Sequence, residues 1–263
     1  MVFQLIDRKI RKAFSDAAIQ YDVLTSMHKE IGRELLHKII DTEKNERILD
    51  VGMGTGWLTK RVSFYFPESL IVGLDVAEGM VDIANEKKEG FHIIHAHAAH
   101  LPFQEGSFDI ILSNLALQWI VDLKTVFQGC HISLKEGGRF HFTLFGYNTL
   151  NELFDCLQRV WQEKKSGQAL SVRRLPTMAE VDLYLQETGW RNIRVDYERI
   201  KVHFPSMMDL LKWIKAIGAN SLSAQTYLGK DFFKRTNDLY NSSFRDRLGI
   251  CATFEVIWAE AEK

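Results

Sequence analysis

Apolar and polar positions along this chain follow two different periods. Residues 1–40 keep the helical one: Phe14, Ala17, Ala18 and Tyr21 fall on one stripe, Asp22 closes that segment, and Ile31, Leu35, Leu36 and Ile39 give a second helix its core-facing side. From residue 47 short apolar runs take over. Arg47–Gly56 opens as a short strand running into a glycine-rich turn, Leu70–Asp75, Phe91–His95, Phe108–Ser113 and Arg139–Phe145 read as further strands, and helices are predicted at Trp57–Phe66, Val76–Lys88 and Leu123–Leu134 with a turn at Gly137-Gly138. This βαβα alternation predicts a doubly wound α/β sheet with a ligand crevice at the carboxyl ends of the strands.

Beyond residue 145 the pattern changes. Leu150–Lys165 and Thr177–Thr188 read as helices, Arg191–Phe204 alternates like a strand, and Cys251–Glu260 is apolar enough for another. The stretch between those strands, about residues 206–249, is mostly helical and too long for a hairpin loop, which predicts a helical insertion over the sheet. One domain over 1–263 is expected, with a core at 47–145 and an N-terminal helical cap at 1–40.

Composition narrows the class. Among 263 residues, 46% are hydrophobic and 25% charged, and the formal net charge is −1, which gives no general case for nucleic acid or membrane binding. Cys130, Cys156 and Cys251 are widely spaced and each falls in an apolar element, so they read as reduced core thiols. The first residues carry charges throughout and no apolar run approaches membrane-spanning length, so a cytoplasmic location is expected.

The candidate chemistry begins at Arg47–Gly56, RILDVGMGTG, an apolar strand running into a glycine-rich turn. Gly52, Gly54 and Gly56 remove Cβ where a ligand must approach the backbone. The spacing lacks the G-x-G-x-x-G step that seats a pyrophosphate, and Asp50 is expected inside the loop, where a fixed negative charge attracts a cation. Asp75, at the end of the second strand, is placed to accept both ribose hydroxyls; the competing reading is a cap for the helix that follows. Asn114–Trp119 stands at the carboxyl end of the fourth strand. Trp119 and Gln118 read equally well as core or as pocket wall. His95, His97 and His100 lack a completing ligand nearby, and no metal is expected.

The pattern D-x-G-x-G-T-G at Asp50–Gly56 resembles motif I of the class I S-adenosylmethionine methyltransferases. AFSDAAIQYD at Ala13–Asp22, SNLALQW at Ser113–Trp119, LLKWIKAIGANS at Leu210–Ser221 and ATFEVIWA at Ala252–Ala259 resemble, more narrowly, the BioC-type malonyl-[acyl-carrier-protein] O-methyltransferases of the biotin pathway. That resemblance implies a Rossmann-like seven-stranded sheet with its last strand antiparallel. It implies S-adenosylmethionine as methyl donor, S-adenosylhomocysteine as product, and the free carboxylate of malonyl-acyl carrier protein (or malonyl-coenzyme A) as acceptor. Carried over, Asp50, Gly52 and Gly54 would hold the methionine end and Asp75 the ribose, with Gly56 and Val76 also among the cofactor-binding residues and Tyr21 closing over the cofactor from the N-terminal helix. His97 and Ala98 would lie beside adenine, and Asn114 with Leu115 near the sulfonium. An acidic residue often precedes that alanine in such enzymes; here it is His97.

An ionised carboxylate acceptor needs no general base near neutral pH. Soft donors suit it better than an arginine clamp, which would hold the ground state too tightly. Tyr21, Gln118, Trp119 and Asn220 are the candidates. Arg8, Arg11, Lys12, Arg173 and Arg174 are candidate docking residues for an acidic carrier protein. The alternatives are a methyltransferase for another carboxylate, such as trans-aconitate, or a protein that binds the cofactor without catalysis.

Overall fold

A computed structural model describes residues 2–40, 47–164, 170, 174–219 and 229–263. Two helices, α1 (Val2–Leu24) and α2 (Ser26–Ile40), precede the alternating unit β1 (Arg47–Val51), α3 (Trp57–Tyr65), β2 (Leu70–Asp75), α4 (Glu78–Lys87), β3 (His92–His95), β4 (Phe108–Asn114), α5 (Leu123–Ser133) and β5 (Leu134–Phe145). Then come α6 (Asn151–Lys164), α7 (Met178–Glu187), β6 (Arg191–Phe204), α8 (Met207–Ala216), α9 (Lys230–Ser243), the two-residue β7 (Arg245–Asp246) and β8 (Gly249–Glu262).

The strands form one sheet in the order β3-β2-β1-β4-β5-β8-β6, with β7 paired to β8. Strands β1 to β5 run parallel, and β8 lies antiparallel between β5 and β6. This is the Rossmann-like doubly wound sheet expected from the pattern. Chain order reverses between β1 and β4, so the crevice of an open α/β sheet belongs at their carboxyl ends.

The central strands are apolar on both faces because helices cover both. Ile48 and Ile110 pack with Ile31, Leu35 and Ile39 of α2 on one side, while Leu49 and Ile111 pack with Phe127 of α5 and Phe140 and Phe142 of β5 on the other. Asp50 shares the α2 and α3 side with Ile48, a parity that decides its partners. The edge strand β6 carries Arg194, Asp196, Glu198, Arg199 and Lys201, charges that discourage pairing with a further strand.

Helix α1 lies across α4. Ala18 packs on Ala77 and Met80, and the Gly79 amide donates to Ser15 Oγ at 3.2 Å. A Cβ at Gly79 would stand 2.4 Å from the Ser15 carbonyl oxygen, so only glycine permits this approach.

Two expectations need correction. Helix α1 does not close at Asp22 but continues to Leu24, where Thr25 Oγ1 donates to the Tyr21 carbonyl at 2.7 Å. Gly137-Gly138 does not precede β5 but lies within it: the strand starts at Leu134 beside Phe108, and its register against β4 shifts before Ile110 and Arg139.

Candidate functional site

The glycine loop after β1 is fastened to the neighbouring strand. The Gly52 and Met53 amides donate to the Leu74 carbonyl at 2.7 and 3.0 Å, and the Gly54 amide donates to Asp75 Oδ2 at 2.9 Å. Gly52 has φ of 78°, and a Cβ there would stand 2.3 Å from the Ala116 Cβ, so the loop and the β4 loop approach only through a glycine. Asp75 also accepts from the Ala77 amide through Oδ1 at 2.8 Å. Each oxygen therefore spends one lone pair on the backbone and keeps another, so Asp75 both fixes the start of α4 and faces the crevice.

At the end of β4, Leu115 is buried at φ 51°, an uncommon conformation for a branched residue that turns the chain across the sheet. Thr143 anchors it: its Oγ1 and carbonyl accept from the Leu115 amide at 3.1 and 3.0 Å, and its hydroxyl donates to Asn114 Oδ1 at 2.8 Å. Asn114 Nδ2 donates to the His28 carbonyl at 3.0 Å and so joins β4 to α2.

Three hollows that share wall residues result. The cleft proper, about 760 Å³, is walled by Asp7, Arg11 and Phe14 of α1 and by Tyr21, Gly52, Gly54, Asp75, Val76, His97, Ala98, Asn114, Leu115 and Trp119. A second chamber of about 460 Å³ lies toward Asp22, Lys29, Asp50, Thr55 and Trp57. A third, about 490 Å³ and mainly aromatic and aliphatic, is bounded by Phe14, Tyr21, His28, Gln118, Trp119, Phe145, Trp213 and Phe254. Tyr21 borders all three. Burial, with Asp75 and Asp22 nearby, pushes its phenol above its ordinary range, so it stays a neutral donor.

Asp50 is not in the loop, as the sequence suggested, but in β1. It is 2% exposed, and its Oδ2 accepts from Thr59 Oγ1 of α3 at 2.6 Å. It reaches the second chamber only. Burial, and then the Asp75 charge, push its carboxyl up to about 7 against the Thr59 bond. Gly56 also departs from its expected place. It borders none of the three hollows, and a Cβ there would meet Phe91 at 3.1 Å and Ala84 at 3.3 Å, so this glycine serves helix packing. Gln118 borders the third chamber with its Nε2 donating to the Leu115 carbonyl at 2.7 Å.

Arg11 faces the cleft rather than the outer surface and pairs with Asp7 at 3.3 Å. Lys12 pairs with Asp16 at 3.0 Å, Arg174 pairs with Glu180 at 3.3 Å, and Arg8 is exposed. Arg173 and Asn220 lie outside the described residues.

The donor set has a definite chemistry. Carboxylates at Asp75, Asp50 and Asp22 with Cβ-free backbone at Gly52 and Gly54 fit a ligand bearing hydroxyls and positive charge, not a polyphosphate.

A family described as a methyltransferase domain matches residues 49–142. The chain is 30% identical, over 97% of its own length and 94% of the other's, to the malonyl-[acyl-carrier protein] O-methyltransferase of Methylococcus capsulatus. It belongs to that family of methyltransferases. Solved structures agree in fold: YcgJ from Bacillus subtilis superposes with a TM-score of 0.61 at 18% identity, covering 88% of this chain and 97% of that one. A phosphoethanolamine N-methyltransferase from Haemonchus contortus, in complex with S-adenosyl-L-methionine, gives 0.55 at 20% identity, with 88% and 52% covered.

Three residues of this methyltransferase escaped the sequence reading. Asp7 accepts from His97 Nε2 at 3.2 Å while His97 Nδ1 accepts from the Ala99 amide at 3.0 Å, so a carboxylate supplied from α1 stands beside the His97 loop. Asp22 accepts from Thr55 Oγ1 at 2.7 Å and from Lys87 at 2.5 Å, pinning the end of α1 to the glycine loop and α4. Burial would raise its carboxyl, but Lys87, Thr55 and Lys29 outweigh it and hold the group below its ordinary range. His28 is the third. It continues the Ile31, Leu35, Ile39 stripe by one turn toward the N-terminus, a signal that was present in the sequence. Among the described helices none is long and apolar enough to cross a membrane.

Proposed function

We propose that this chain transfers the methyl group of S-adenosylmethionine to the free carboxylate of a malonyl thioester carried on acyl carrier protein, the activity for which its relative is named. The observation that carries the reading is the third chamber. It shares Phe14, Tyr21 and Trp119 with the cleft, and no lysine or arginine stands on its described wall. Such a chamber suits a neutral thioester arm ending in one carboxylate and disfavours a free acid with several charges.

The same reading assigns the cofactor residues along the cleft. Asp75 and Val76 take the ribose, His97 and Ala98 the adenine edge, and Gly52 and Gly54 the backbone of the methionine end, whose ammonium Asp50 and Asp22 attract. Asn114, Leu115 and Tyr21 surround the reacting centre. Bound there, S-adenosylmethionine would supply an electrophilic methyl group to a carboxylate oxygen, its sulfur taking up the electron pair of the carbon–sulfur bond, so that no residue of the chain need move a proton. The chain contributes proximity, alignment and a dry wall of Phe14, Trp119 and Phe145 beside which opposite charges are neutralised.

On the outer face of α1, Arg8 and Lys12 are the docking candidates for an acidic carrier; the Lys12–Asp16 pair is exposed and is broken at little cost. A methyl-transfer assay with labelled S-adenosylmethionine tests the function, offering malonyl-acyl carrier protein, malonyl-coenzyme A and trans-aconitate side by side. Label is expected as a base-labile ester on the malonyl carrier. Label on trans-aconitate alone would overturn the acceptor.

A further inference from the structure

His28 sits where packing alone would place a leucine. Its ring centroid lies 6.1 Å from that of Tyr21, 5.6 Å from Phe145 and 6.3 Å from Trp213. The residue is 8% exposed, and its Nδ1 is buried with no hydrogen-bond partner among the described residues. A buried ring nitrogen without a partner is a standing cost that an aliphatic side chain would avoid, and such groups call for a functional account.

The other polar groups on the third chamber's wall are already used. Trp213 Nε1 donates to the Leu24 carbonyl at 2.9 Å, Thr149 Oγ1 to the Glu255 carbonyl at 3.2 Å, and Gln118 Nε2 to the Leu115 carbonyl. No hydrogen bond engages the Tyr21 hydroxyl among the described residues. Tyr21 and His28 therefore present to this chamber a hydroxyl and a ring nitrogen that no hydrogen bond among the described residues engages, and Tyr21 also borders the cleft.

We propose that the His28 imidazole, acting with the Tyr21 hydroxyl, holds and aims the carboxylate that receives the methyl group; this rests on the acceptor reading given above. Burial keeps the imidazole neutral, its protonation pushed down to about 4. A neutral donor satisfies one carboxylate oxygen without the tight ground-state grip of a cation, and leaves the other oxygen free to attack. The Asn114 bond to the His28 carbonyl fixes this donor relative to the end of β4, where the sulfonium side of the cleft lies.

The test compares native protein with His28→Phe and His28→Gln, measuring kcat and KM for the malonyl carrier and, separately, S-adenosylmethionine affinity by calorimetry. His28→Phe keeps the aromatic volume and loses both nitrogens, so kcat/KM for the carrier should fall about 10- to 100-fold while cofactor affinity stays within twofold. His28→Gln restores a neutral donor and should recover most of the loss. A merely structural role predicts the opposite order, with the aromatic replacement better tolerated than the amide. His28→Phe retaining native kcat/KM, or cofactor affinity falling in parallel with turnover, overturns the proposal while native transfer to the carrier still stands. If the native chain methylates no malonyl thioester, the acceptor reading falls and this proposal falls with it.

Discussion

Replacing Asp50 by asparagine isolates a conflict between stability and binding. This carboxylate is buried in β1 with one hydroxyl donor, Thr59, and its proton affinity is raised from an ordinary 3.8 to about 7. Between those values the folded chain keeps a proton that the unfolded chain has released, so stability falls as pH rises through that window and levels off above it. At about 1.4 kcal/mol per tenfold in proton affinity, the ionised group costs about 4 kcal/mol at alkaline pH. An amide can still accept from Thr59 but is itself buried, so we expect recovery of about half, on the order of 2 kcal/mol. In a chain of 263 residues that raises Tm by about 4 to 8 °C. Scanning fluorimetry of the unliganded proteins at pH 5.5 and 8.5 is the assay. The variant should melt higher at 8.5, with the gap shrinking at 5.5. A gap of equal size at both pH values, or none at 8.5, would refute the reasoning. The same substitution should weaken S-adenosylmethionine binding about tenfold or more at pH 8.5, because the charge that destabilises the fold is the one proposed to attract the methionine ammonium.

Further expectations follow from single contacts. Gly52→Ala places a Cβ 2.3 Å from Ala116 at positive φ, so a loss of at least about 2 kcal/mol in denaturant unfolding and loss of cofactor binding are expected; native-like affinity would sink the account of the loop. Asp7→Asn removes the charge facing His97 in a half-exposed pair, and calorimetry should show S-adenosylhomocysteine affinity reduced by about two- to fivefold. Tyr21→Phe should lower kcat about tenfold with Tm little changed, since the ring packing with Phe14 and His28 survives. With no general base at work, kcat at saturating substrates should be flat from pH 7 to 9; a titrating limb in that range would reveal a base that the mechanism omits.

What the sequence disclosed and what it hid divide along a physical line. The strands β1, β2 and β4 were legible because burial on both faces forces continuous apolar runs, and the loop glycines were legible because their conformations exclude other residues. Which glycine borders the cleft was not: Gly52 and Gly56 have similar positive φ, but one faces the β4 loop and the other Phe91. Asp50 was assigned to the loop although strand parity turns it toward α3. The Asp7–His97 contact joins residues 90 apart through the docking of α1, and no local period encodes a docking angle. His28 was within reach of the pattern, as a polar residue on an otherwise apolar stripe.

The position of Tyr21 at the meeting of three hollows has a thermodynamic consequence. On the proposed function Tyr21 is wall to both donor and acceptor, and a side chain so placed cannot settle against one without changing what the other encounters, so the two occupancies would be linked. Whatever factor the donor molecule lends to the acceptor's affinity, the acceptor must return to the donor. Asp22 ties the same helical turn to Thr55 and Lys87, so the position of Tyr21 is held from the glycine loop and from α4.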